Sequence, residues 1–416
     1  MTTLTTIDMA EATRLTREGR LDEAMAVLRG ARFDAASATG SAAASPTPSA
    51  HVHPIIDLRP PSIATGSAWT SPPAIETPAG VRPARVRAPH VSKPLRGFLD
   101  RLRPAGGARG LGGSPAAATA RAPLSDGARF DERSYANAAG SRSYKLYIPS
   151  GYSGQPLPLV VMLHGCSQSP DDFAAGTRMN ELAEQQGFLV AYPAQTPSAN
   201  ASKCWNWFSS GDQQRDRGEP SLIAGITREV MRDFAVEPGR VYVAGLSAGG
   251  AAAAIMGATY PDLYAAIGVH SGLACGAASD MPSAFAAMRQ GGATASGRTS
   301  PHGAANTLPT IVFHGDRDTT VNPVNGDHVI AQSKAAAALT SSVSTGKSAG
   351  GIGYTRTVQV GSSGKTLLEH WVLHGAGHAW SGGDAAGSYT EPRGPDASAE
   401  MLRFFLQHRA VPTQAS

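Results

Sequence analysis

The spacing of apolar and polar positions changes sharply along this chain. From Arg129 onward, short and nearly all-apolar runs alternate with stretches whose apolar residues return every third or fourth position. The runs predict strands over 129–136, 142–148, 158–164, 188–192, 240–245, 266–271, 309–315 and 366–374. The stretches between them predict helices over 171–186, 219–235, 248–259, 325–340 and 396–408. The first two strands read as a hairpin, and β-α-β alternation follows. Strands apolar on both faces in that order indicate the α/β class, with a mostly parallel central sheet and helices on both faces. Ligands of such sheets bind at the carboxyl ends of the strands.

The chain before this region follows other rules. Residues 7–30 predict two short amphipathic helices around Glu18-Gly-Arg20, with Met9, Ala12 and Leu15 on one face of the first and Leu21, Met25 and Leu28 on one face of the second. A single helical hairpin over 1–31 cannot bury its own apolar face, so it is expected to dock, self-associate or bind a partner. Residues 32–125 are dominated by Ala, Pro, Ser, Gly and Arg and read as a disordered linker. Within it, Phe98, Leu99 and Leu102 share a face flanked by arginines, a pattern suited to lying on an apolar surface. Residues 126–410 are ample for one domain with a buried centre.

Charge and composition narrow the partners. Charged residues are sparse at 16%, and the net charge of +4 is concentrated in the linker at Arg82, Arg85, Arg87 and the cations that follow. A basic linker can touch an anionic surface. Residues 1–125 are candidates for contact with a granule or a protein, with a merely solubilising tail as the alternative, and nucleic acid is not expected. No apolar run approaches the length needed to span a membrane. Met1-Thr-Thr-Leu lacks the basic start and apolar core of a secretory signal. The three cysteines are too few to define a disulfide scaffold. The expected location is therefore cytoplasmic or granule-associated, with an extracellular site as the alternative.

Candidate chemistry gathers at the ends of the predicted strands. Gly245-Leu-Ser-Ala-Gly249 lies between the buried strand Arg240-Val-Tyr-Val-Ala244 and a tightly packed helix. In that strand–turn–helix context G-x-S-x-G is a nucleophile elbow, with Ser247 at its apex. A serine needs a base to take its proton and a carboxylate to orient the base, in the order Ser, acid, His for elbows of this kind. The strand Pro309–Gly315 runs into Asp316-Arg-Asp-Thr-Thr-Val321. Asp318, deeper in the loop, is the expected acid, and Asp316 is expected to bond loop amides. His378 follows a glycine-rich turn and is the expected base, whereas His370 and His374 lie within a strand and read as packed or bonded residues. The oxyanion hole is expected from the N–H groups of Ala248 and Cys166, the latter in Leu163-His-Gly-Cys-Ser-Gln168. His164 reads as a structural hydrogen bonder.

Cys204 falls in the aromatic loop Lys203-Cys-Trp-Asn-Trp-Phe208, expected beside the same site. Cys166 and Cys204 are therefore candidates for a disulfide tying that loop to the oxyanion wall, its formation depending on compartment. Trp205, Trp207 and Trp380 are candidate apolar walls of an acyl cleft, each weighed against ordinary core packing. No cluster has metal-ligand spacing and no glycine motif cradles a phosphate, so neither metal nor cofactor is expected.

Together with Gly377-His-Ala-Trp-Ser381, these motifs resemble the poly(3-hydroxybutyrate) depolymerase family of esterases with the linear type 1 catalytic domain, over about residues 128–408. The resemblance implies an α/β-hydrolase fold and a Ser–Asp–His triad at Ser247, Asp318 and His378, with an oxyanion position at Cys166. It implies a short-chain hydroxyacid polyester, granule or oligomer as substrate. Feruloyl and acetylxylan esterases share the fold and triad, so a carbohydrate ester is the alternative substrate. A non-catalytic granule- or partner-binding protein is the remaining reading.

Overall fold

The computed structural model describes residues 124–292, 308–334 and 338–410. The helical hairpin expected over 1–31, and all but the last two residues of the linker expected over 32–125, lie outside them.

A hairpin of β1 (Arg129–Asn137) and β2 (Gly140–Ile148) begins the sheet. The centre is formed by β3 (Leu157–Leu163), β4 (Leu189–Pro193), β5 (Val236–Leu246), β6 (Ala266–His270), β7 (Thr310–Gly315) and β10 (Thr366–His374), all mutually parallel. At the far edge β8 (Thr340–Lys347) and β9 (Gly353–Val360) form an antiparallel hairpin, with β9 also antiparallel to β10. The ten strands run in the order β1-β2-β4-β3-β5-β6-β7-β10-β9-β8. This is the α/β-hydrolase arrangement, a mostly parallel sheet entered through an antiparallel hairpin.

The all-apolar runs explain themselves in this setting. β3, β4, β6 and β7 are buried at every position. Successive side chains of a strand point to opposite faces. Leu159, Val161 and Leu163 thus join one core with α3 (Gly218–Asp233) and α4 (Ala248–Thr259). Val160 and Met162 join the other core with α1 (Pro170–Thr177), α2 (Met179–Gln186) and α7 (Ala397–Phe405).

Several predicted elements are redrawn. The helix expected over 171–186 is two helices, because Arg178 between them is left-handed with φ 55° and caps one while starting the other. The helix expected over 325–340 is α6 (Val324–Ser333), and Thr340 opens β8 instead. α5 (Met281–Gln290) was not expected, although Asp280 and Ser283 form a reciprocal capping box at its start. The β8–β9 hairpin was also missed. Almost all of β8 is exposed, so it carries no burial pattern, and only its backbone ladder with β9 makes it a strand.

Candidate active site

Four loops leave the carboxyl ends of β3, β5, β7 and β10, and each carries one of the expected residues. β5 ends at Leu246 and α4 begins at Ala248, so Ser247 alone makes the turn, with φ 58° and ψ −119°. A non-glycine residue there is strained and persists only where its surroundings hold it. One holder is the bond from Ser247 N–H to the His270 carbonyl, 2.9 Å. Another is the close packing of the elbow on β3. A methyl group at Gly249 would come within 2.0 Å of the Leu163 carbonyl oxygen, so only glycine fits.

The loop after β7 turns Asp318 into the protein, and its side chain is wholly buried. Its Oδ1 accepts from the N–H groups of Thr320 and Val321, both at 2.9 Å. Its Oδ2 faces His378 Nδ1 at 2.7 Å and His314 Nε2 at 3.4 Å. Burial alone would raise the carboxyl, but His378 and His314 beside it outweigh burial and hold it far below the usual carboxylate range. Asp316 does something else. It accepts from Gly375 N–H at 2.7 Å and pairs with His374 Nδ1 at 3.0 Å, fastening the β10 turn. An imidazole with Nδ1 held by Asp318 presents Nε2 on its far side, the arrangement a base requires.

His270, which sequence reasoning did not single out, joins the elbow to the His378 loop. Its carbonyl accepts from Ser247, and its Nε2 accepts from Ser381 N–H at 3.0 Å. The ring stacks between Phe313 and Trp380. Burial, with His314 and His378 nearby, pushes it down to about 3, so it stays neutral and can accept at Nε2. Its place at the end of a predicted strand was the only signal.

The loop after β3 lies against the elbow, since a methyl on Gly165 would sit 3.6 Å from Ser247 Cβ. Gly165 N–H donates to Gln168 Oε1 at 2.9 Å and Ser167 N–H to the Ser202 carbonyl at 2.7 Å. Among the described residues the Cys166 N–H between them has no such acceptor. Ala248 opens α4, and the first N–H groups of a helix have no intrahelical acceptor. His164 is the structural residue expected of it. Its Nε2 accepts from Gln195 N–H at 3.0 Å, which puts the proton on Nδ1 for the 2.7 Å bond to the Gly165 carbonyl. Burial pushes it down to about 4. Cys166 and Cys204 form a disulfide.

The tryptophans correct an expectation. Trp205 and Trp380 are 0% and 1% exposed and have no surface to offer an acyl group. Their indole N–H groups are spent inside, on the His164 carbonyl at 3.1 Å and Ser398 Oγ at 3.0 Å. Trp207 is buried against α3 and α4, beside Ile223, Ala252 and Met256. All three are core. Tyr389 is half-buried, and its hydroxyl is 3.3 Å from Ser167 Oγ in the loop after β3. Among the described residues there is no group of three or more His, Cys, Asp or Glu able to hold a metal, and no helix long and apolar enough to cross a membrane.

Residues 142–356 match the family model described as Esterase PHB depolymerase. Poly(3-hydroxyalkanoate) depolymerase C of Paucimonas lemoignei is 33% identical over 241 residues, which are 56% of this chain and 57% of that protein. Acetylxylan esterase A of Talaromyces purpureogenus is 30% identical over 202 residues, covering 45% of this chain and 52% of the other. Feruloyl esterase B of Neurospora crassa is 34% identical over 151 residues, 35% of this chain and 50% of the other. The chain therefore spans about half the length of these relatives.

Proposed function

Since the chain belongs to the PHB depolymerase family of esterases, we propose that it hydrolyses short-chain hydroxyacid esters, poly(3-hydroxybutyrate) or its oligomers, through Ser247, His378 and Asp318. The observation that carries this reading is the buried Asp318–His378 pair, 2.7 Å apart, at the same carboxyl end of the sheet as the strained Ser247. In this reading His378 Nε2 takes the Ser247 proton as Oγ attacks the ester carbonyl. Asp318 stabilises the imidazolium that forms, and the oxyanion accepts from the N–H groups of Cys166 and Ala248. His378 then protonates the leaving alcohol. Water cleaves the acyl-enzyme by the same steps, with His378 as base toward the water.

The names of the acetylxylan and feruloyl esterase relatives support a second reading, in which the acyl group or alcohol belongs to a carbohydrate. A substrate panel separates the two. Amorphous polyhydroxybutyrate granules, soluble hydroxybutyrate oligomers, acetylated xylan and methyl ferulate are compared for wild type and Ser247→Ala. The leading reading expects turnover of hydroxybutyrate esters, lost in Ser247→Ala with folding intact. Activity confined to xylan or ferulate would replace the substrate and keep the mechanism. The Cys166–Cys204 disulfide favours action in an oxidising compartment, the extracellular alternative. Fractionation of the producing cells tests that placement, and recovery from the cytoplasm alone would reject it.

A further inference from the structure

Glu219, in the first turn of α3, is a carboxylate only 5% exposed that none of the reacting groups touches. Donors converge on it from three segments. Asn206 donates its N–H at 2.7 Å and its Nδ2 at 2.8 Å, Arg142 approaches at 3.4 Å, and Gln195 Nε2 donates as well. A buried carboxylate is tolerated only where it is paired and hydrogen-bonded in this way.

Two of these donors, Gln195 and Asn206, also lead to Cys166. Gln195 Nε2 donates to the Cys204 carbonyl at 2.9 Å, and Gln195 N–H holds His164 Nε2 at 3.0 Å. His164 Nδ1 in turn holds the Gly165 carbonyl at 2.7 Å. A peptide group is planar and trans, so fixing the Gly165 oxygen from one side aims the Cys166 N–H to the opposite side. The second route runs through Asn206 to Cys204, whose disulfide ends on Cys166 itself. Two paths thus lead from one carboxylate to one peptide group.

We infer that Glu219 is a positioning residue for the oxyanion loop, fixing the direction of the Cys166 N–H through Gln195 and His164 and through the loop that carries Cys204. The inference rests on the reading of that N–H as an oxyanion donor. A donor held a few tenths of an ångström off its aim binds ground state almost as before and the tetrahedral state less well, so the loss falls on kcat.

The test compares wild type, Glu219→Gln and Gln195→Met with nitrophenyl butyrate as substrate and an alkyl boronic acid as a tetrahedral adduct former on Ser247. Gln195→Met keeps the backbone N–H to His164 and deletes the side-chain link to Glu219 and Cys204. Folding is followed by near-UV circular dichroism. The expected result for Glu219→Gln is a fall of roughly ten- to a hundredfold in kcat, part of what deletion of a whole oxyanion donor costs, with KM held within about twofold. Boronate affinity should weaken by the same factor as kcat, and Gln195→Met should show a smaller loss of the same kind. A folded Glu219→Gln with wild-type kcat and boronate affinity would overturn the inference. So would a raised KM at unchanged kcat, or failure of both variants to fold, which would assign Glu219 to the fold alone. If wild-type Ser247 neither takes a fluorophosphonate nor binds boronate, the esterase reading itself fails, and this inference goes with it.

Discussion

His378 Nδ1 lies 2.7 Å from Asp318 Oδ2, while Asp316, two residues earlier, turns away to Gly375 and His374. Two aspartates of one loop are thereby given different work by the direction in which each leaves the backbone. Asp318 faces inward and meets two histidines directly. Asp316 faces the surface and closes a turn.

That division predicts unequal mutational effects. Asp318→Asn keeps the shape but loses the charge that supports the imidazolium, and kcat on a nitrophenyl ester should fall by about 10⁴-fold. Asp316→Asn should leave kcat nearly unchanged and cost at most about 1 kcal/mol of stability, as exposed pairs do. Steady-state kinetics and urea unfolding of both variants check this. Equal losses of kcat would refute the assignment of the acid.

Stability should depend on pH through His164 and His270. Both are wholly buried, pushed down to about 4 and about 3 mainly by burial. In the unfolded chain both titrate near ~6.5. Below that pH the unfolded chain binds protons that the folded protein refuses. Stability is therefore full above about pH 6.5 and declines as pH falls toward the folded values, by about 1.4 kcal/mol per pH unit for each group. His270→Gln should be less stable at neutral pH because it removes the ring that accepts from Ser381 N–H and stacks on Phe313 and Trp380, but it lacks that group's titration. The gap between it and wild type should narrow between about pH 7 and pH 5 in urea unfolding. A gap that stays constant would remove His270 from the account.

The elbow should reject a single methyl group. Gly249→Ala places Cβ within 2.0 Å of the Leu163 oxygen, backbone against backbone, where no rotamer relieves the clash. The expected outcome is insoluble or unfolded protein. Gly377→Ala, where a methyl meets nothing within 4 Å, serves as the control and should fold. Circular dichroism of the purified proteins decides, and a well-folded Gly249→Ala would show that strand and helix can separate at the turn.

Trp380 is placed in the core by its contacts, not in an acyl cleft. Trp380→Phe deletes the indole N–H bond to Ser398 and trims the face stacked on His270, which should cost about 1–3 kcal/mol of stability. Its KM for short esters should stay within about twofold of wild type, since no surface of the ring reaches solvent. A KM raised well beyond that at unchanged stability would restore Trp380 to the cleft wall.

Much of this protein is legible in its sequence because the physics involved is local. Short all-apolar runs such as Leu157–Leu163, bounded by turn residues, fit strands covered on both faces, and a serine between a strand and a small-residue helix has few other geometries open to it. The chain order of Ser247, Asp318 and His378 likewise follows from loops that leave the carboxyl ends of the parallel strands β5, β7 and β10. β8 was not legible, because an exposed strand owes its form to its neighbour's ladder and carries no burial pattern of its own.

What only the tertiary structure decided is which distant groups meet. Glu219 and Arg142 are 77 residues apart, and His270 contacts Ser381 across 111, separations at which no spacing rule operates. The tryptophans of the aromatic loop carried the composition of a binding wall, yet Trp205 faces inward because its indole N–H finds the His164 carbonyl there. The sequence determined the central strands, the elbow and the order of the chemistry. The folded chain determined the direction of each side chain, since burial and hydrogen-bond satisfaction are settled among all neighbours at once and not along the chain.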